Sequence, residues 1–178
     1  MRTLTLRAAL TRAFLLTTLA TAAACTPLRV VTHTVSTTET RVPAGRYTLD
    51  PNHCSITFDI DHFKYSRFTM RFDRKTAQLD WNPGGLDKSA VTASIDAASI
   101  DTNVPLLDRM VKGDPMLDVA RYPEIRFVST RFERTGDSRG TLTGDLTIHG
   151  TTQPVTLDVT LSGFAPDPRT KEDALRVS

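Results

Sequence analysis

The 178-residue sequence has two cysteines, one tryptophan and almost no surplus of charge, with 22 Lys+Arg against 20 Asp+Glu. Two cysteines, Cys25 and Cys54, supply no disulfide framework, and a bridge between them would only tether a tail to the first strand of the domain. The small charge surplus belongs to the first 24 residues, which carry Arg2, Arg7 and Arg12 and no acid; beyond them stand 19 basic and 20 acidic groups. Such a chain lacks the basic surface that binds a phosphate backbone, and no Lys/Arg cluster with interleaved aromatics appears, so nucleic acid is excluded as a partner. The one apolar run near the N-terminus, Ala13 to Ala20, is too short to cross a bilayer. With 39% hydrophobic and 24% charged residues, the chain is neither collagen, coiled coil nor wholly disordered, and its length suits one globular domain.

What is present begins with an export signal over residues 1–24: arginines, a short apolar core, then Ala22-Ala23-Ala24 as a small-residue cleavage site. Because Cys25 follows directly, the segment resembles a bacterial lipoprotein signal, in which the cysteine becomes the acylated N-terminus; Ala22 stands where such signals usually place Leu. Acyl chains at Cys25 would anchor the protein to a membrane, at about 0.8 kcal/mol per buried CH₂. The expected location is therefore the periplasm or cell envelope. Residues 25–44 contain Thr26, Thr32, Thr34, Thr37, Thr38 and Thr40 with Pro27 and Pro43, and read as a linker. The domain is expected over 45–178.

Within it, Ser55–Phe63, Phe68–Asp73, Thr76–Trp81, Ala90–Ile95, Glu124–Ser129, Thr141–His149 and Val155–Leu161 are short, rich in β-branched or aromatic residues and alternate with period two. Turn signals separate them: Asn82-Pro83-Gly84-Gly85, the stretch Gly136 to Gly140, and Gly150 to Pro154. This predicts an all-β, antiparallel meander. One stretch differs, because Leu107, Met110 and Val111 recur at helical spacing between Asn103 and Lys112, and Asp114-Pro115 opens a second turn. Strands with one apolar face close most economically as a barrel or sandwich, which hides the sheet edges.

No catalytic constellation is present. Ser55, His62 and Asp59 or Asp61 have the residue types of nucleophilic catalysis, but both aspartates face away from His62 on the same strand. There is no G-x-S-x-G elbow. His53 and His62 with Cys54 form no closely spaced ligand pair, and no C-x-x-C-H is present for haem attachment. The chain thus predicts no enzyme, no cofactor and no metal. A redox accessory protein holding a metal or haem through His53, Cys54 and His62 is the competing reading.

Three ordered stretches carry a resemblance. Tyr47, Asp50-Pro51, His53, Ile56, Phe58, Ile60 and His62 come first; Leu117-Asp118 with Tyr122 to Ser129 follows; Gly144 to Leu157 is the last. Together they resemble the YceI-like, polyisoprenoid-binding family of exported bacterial proteins. The resemblance implies an eight-stranded, lipocalin-like antiparallel barrel whose lumen holds an isoprenoid, a quinone-like molecule or another long-chain amphiphile. On that basis Phe58, Ile60, His62, Phe72, Val91 and Phe127 are expected to line the lumen, with Phe68 and Trp81 on the same apolar faces, and His53 and His62 are candidate polar contacts to a lipid head. Cys54 and Met70 depart from the family pattern, which usually has serine or threonine and glycine there. Family members also continue past the equivalent of Gly163 with further strands, so the expectation is an incomplete barrel with one unpaired edge and residues Arg169 to Ser178 poorly ordered or loosely helical.

Overall fold

The computed structural model describes residues 33–168 and 170–178. Residues 1–24, read from sequence as an export signal, and Cys25 lie outside the described residues. Among these residues ten strands follow in the order β1 (Gly45–Thr48), β2 (Ile56–His62), β3 (Ser66–Phe72), β4 (Lys75–Trp81), β5 (Ala90–Asp96), β6 (Ile100–Asp101), β7 (Glu124–Arg134), β8 (Arg139–Ile148), β9 (Thr151–Pro166) and β10 (Asp173–Val177), with an α-helix, α1 (Pro105–Lys112), between β6 and β7. Two compact units result. The larger comprises 37–163 and 175–178, an antiparallel, lipocalin-like barrel that is nearly closed. In the smaller, Ser36 and Phe164 exchange backbone hydrogen bonds of 2.9 and 2.7 Å, His33 Nε2 lies 3.0 Å from the Pro166 carbonyl, and a turn closes with Asp167 N–H on Glu172 O at 2.7 Å.

Seven strands pair in the order β1-β4-β5-β7-β8-β9-β10, and β2-β3-β6 form a second sheet. The register aligns the ends of the larger sheet. Gly45 opposes Trp81, Asp80 opposes Ala90, Arg134 opposes Gly140 and Gly140 opposes Val159, which gathers these residues at one end. Lys75 opposite Ile95, Asp96 opposite Glu124 and Ile148 opposite Thr151 mark the other.

That second end is filled. Met70, Phe72, Ala97, Ile100, Val111 and Ile125 are buried together, with Phe58, Phe68, Ile95, Leu107 and Leu146 packed against them. Phe58 and Phe72 stack with centroids 5.5 Å apart. Helix α1 starts with Pro105, whose absent N–H costs nothing at the first helical position. The helix presses Leu107 and Val111 on the core and leaves Leu106 and Met110 outside. Asp108 anchors it: one carboxylate oxygen accepts from the backbone N–H of Thr102 at 2.8 Å and from its hydroxyl at 2.6 Å, and Thr102 is only 1% exposed. These bonds, the hydroxyl one first, hold the Asp108 carboxyl below the usual carboxylate range.

The strand expectations hold in type and differ at the ends. β7 runs five residues beyond Ser129, past an irregularity in register between Ser129 and Arg131. β9 begins at Thr151, so the turn there is only His149-Gly150, both at positive φ (50° and 72°), and Pro154 lies inside a strand. Proline is tolerated because the Thr160–Ser178 pairing sets β10 against the later part of β9, leaving β8 as the neighbour at Pro154. The expectation for the C-terminal residues is corrected. Asp173–Val177 is a strand, and Thr160 and Ser178 exchange backbone hydrogen bonds, so β9 is not left as an unpaired edge. The reason is the period-two pattern Leu175-Arg176-Val177, which turns two apolar side chains to the inner face. Residues 37–44, read from sequence as the end of a linker, pack as a strap: Glu39–Arg41 form a 3₁₀ turn, Val42 is 1% exposed, and Tyr47 Oη donates to Pro43 O at 2.9 Å.

Candidate functional site: an apolar cavity at one end of the barrel

The first end of the barrel is hollow. A cavity of about 290 Å³ is walled by inward side chains from all seven strands of the larger sheet, among them Tyr47 on β1, Leu79 on β4, Val91 on β5, Leu142 on β8, Leu161 on β9 and Leu175 on β10. Alternation produces much of this wall: Leu79 and Trp81 on β4, Gly140 and Leu142 on β8, Val159 and Leu161 on β9, and Leu175 and Val177 on β10 each stand two residues apart. On β7 simple alternation would fail: Ile125 and Phe127 face inward, and it is the irregularity between Ser129 and Arg131 that returns Phe132 to the inner face. On β8 the inner positions are Gly140, Leu142 and Gly144, all buried. The rings of Phe132 and Phe127 lie over the two glycines, so close that a Cβ on Gly144 would stand 2.5 Å from the Phe127 ring.

Polar groups at the cavity are few. Trp81 lines the wall, and its buried Nε1–H has no hydrogen-bond partner among the described residues. Thr48, Gln78, Ser89, Ser138 and Arg139 also line it, as does Glu39 from the strap. Glu39 is the most enclosed charge, with its side chain 17% exposed and Arg134 Nη1 3.0 Å from Oε1.

The residues expected to share the lumen separate between the two ends. Val91 lines the cavity. Phe58 and Phe72 belong to the filled end, and Phe127 is buried over Gly144. Ile60 is 44% exposed and His62 is exposed: the phase of β2 is right for Ile56 and Phe58, but the hairpin β2–β3 runs beyond the core, so its last inward positions have nothing to pack on. His62 packs its ring edge-on against Phe63, 4.6 Å between centroids. His53 sits outside the cavity with Nδ1 2.6 Å from Asp50 Oδ2, so its place is a turn contact. Cys54 is half-buried beside it. Among the described residues no three His, Cys, Asp or Glu side chains gather as a metal would need. Sequence reasoning did single out Trp81; it missed Phe132, Leu175 and Val177, of which the last two carried a readable alternation.

An antiparallel barrel hollow at one end, its cavity walled by aliphatic and aromatic side chains with few polar contacts, has the form of a small-molecule pocket. The comparisons give the family. The YceI-like domain matches residues 47–175, and the chain belongs to that family, which is one of binding proteins. A UPF0312 protein of Pseudomonas putida is 33% identical over 127 residues, 70% of this chain and 66% of its own length. The chain thus spans just under two-thirds of the curated relatives it matches first. Burkholderia cenocepacia BcnA superposes with a TM-score of 0.62 at 25% identity, covering 66% of this chain and 73% of BcnA. The Campylobacter jejuni YCEI protein gives 0.57 at 26% identity, covering 72% and 75%.

Proposed function

We propose that this protein sequesters or carries a long-chain amphiphilic lipid, of polyisoprenoid or quinone-like type, whose tail occupies the cavity walled by the seven-stranded sheet. The observation that carries this reading is the cavity itself, apolar on all seven strands within a fold whose opposite end is fully packed. Apolar burial supplies roughly 0.8 kcal/mol per CH₂, so even part of a long chain repays the several kcal/mol lost on association. At about 290 Å³ the space suits a segment of such a lipid. The protein acts by binding and not by catalysis, and it works after export in the periplasm or cell envelope, held to the membrane by acylated Cys25.

Native mass spectrometry of the protein purified from its envelope fraction tests both halves. A lipid-sized adduct, together with an intact mass equal to the chain from Cys25 plus acyl groups, is the expected result. Protein that carries no adduct and takes up no added lipid would overturn the binding reading. A mature chain from Cys25 without acyl mass would leave a soluble exported binder.

A further inference from the structure

We infer that Glu39 sets the head-group selectivity of the cavity, favouring amphiphiles whose head is uncharged and donates a hydrogen bond, such as an alcohol, over anionic heads of the same chain length. The inference rests on the lipid-binding reading and deepens it. Glu39 is held at the cavity by the strap, where the 3₁₀ turn Glu39–Arg41 and the buried side chain of Val42 fix its backbone. One carboxylate oxygen faces Arg134 at 3.0 Å; the other accepts no hydrogen bond among the described residues. A hydroxyl head can donate to that oxygen. A carbonyl or quinone oxygen cannot, and a carboxylate or phosphate meets a like charge.

The neighbouring cations do not reverse this preference. The Arg134 guanidinium is already engaged by Glu39, by the Gly136 carbonyl on Nε at 2.9 Å, and by Asp137 at 3.5 Å. Arg139 also lines the cavity, but it is exposed, and a solvated charge acts through a high dielectric, whereas the enclosed Glu39 acts at short range beside apolar walls. Of the charges lining the cavity, the Glu39 carboxylate is therefore the most enclosed that a head group at this end meets.

The single tryptophan lies in the cavity wall and reports occupancy by its own fluorescence. Titrating the full chain at neutral pH with 1-decanol, 2-decanone and decanoate compares a donor, an acceptor and an anion on equal chains. Decanol should bind at least about tenfold more tightly than decanoate, equivalent to ~1.4 kcal/mol, and also more tightly than decanone. Glu39→Gln, checked by its melting curve, should tighten decanoate and collapse that ratio towards unity. Decanoate binding as tightly as decanol or tighter, the result expected if Arg139 held the head, overturns the inference while the lipid reading stands. An unchanged ratio in folded Glu39→Gln does the same. If none of the three probes perturbs Trp81, the lipid reading and the inference fall together.

Discussion

The two ends of the barrel are built from the same strands by the same alternation, yet one is filled and the other hollow. At the filled end the second sheet and helix α1 bring Phe72, Ile100 and Val111 across the opening, and these side chains are buried in one cluster. At the hollow end no helix among the described residues crosses, the strap contributes one buried residue, and inward side chains such as Leu79 and Val91 face a void. Close packing is where stability comes from, because a side chain beside a void loses the dispersion contacts on that face. The structure thus places its close-packed contacts at one end and its cavity at the other.

Substitutions can break this contrast. Phe72→Ala removes a ring that is 7% exposed and stacked on Phe58, and should cost about 3–5 kcal/mol in urea unfolding. A loss under ~1 kcal/mol would mean that the filled end is not the stabilising one. Gly144→Ala places a methyl 2.5 Å from the Phe127 ring and from the Val128 carbonyl, so one strand must shift; a loss of about 1–3 kcal/mol is expected by the same measurement.

Leu79→Ala, in the cavity wall, should cost only about 1–2 kcal/mol, at or below the low end for a buried leucine, because the side chain already lacks partners on one face. A cost as large as that of Phe72→Ala would show that the cavity collapses in solution. The smallest effect concerns acid. The Asp108 carboxyl titrates below its unfolded value, so its contribution is fully present above the ordinary carboxylate range, near pH 4, and is lost as pH falls through the lower folded value. Melting temperatures of Asp108→Asn and the parent chain should therefore converge below about pH 4 and separate above it. Curves that stay parallel across this range would remove Asp108 from the account.

The sequence by itself determined the class of the fold. Period-two alternation in Ile56, Phe58 and in Val155, Leu157, Val159 is local, because the pleat alone assigns successive side chains to opposite faces, and the turn residues sit where chain reversal needs them. The helical spacing of Leu107, Met110 and Val111 likewise marked α1. The three stretches around His53, Tyr122 and Gly144 were enough to indicate the family. What the tertiary structure alone decided is which inward residues surround empty space. Phe58, Phe72, Val91 and Phe127 share the same inward phase, but whether each meets a packed core or a cavity depends on what lies across the barrel, and those partners come from strands far along the chain. Phe132 faces inward through a register irregularity that depends on pairing with β8, and Glu39 reaches the cavity because Val42 finds a buried site. Alternation is a property of a single strand, and a cavity is a property of all seven at once.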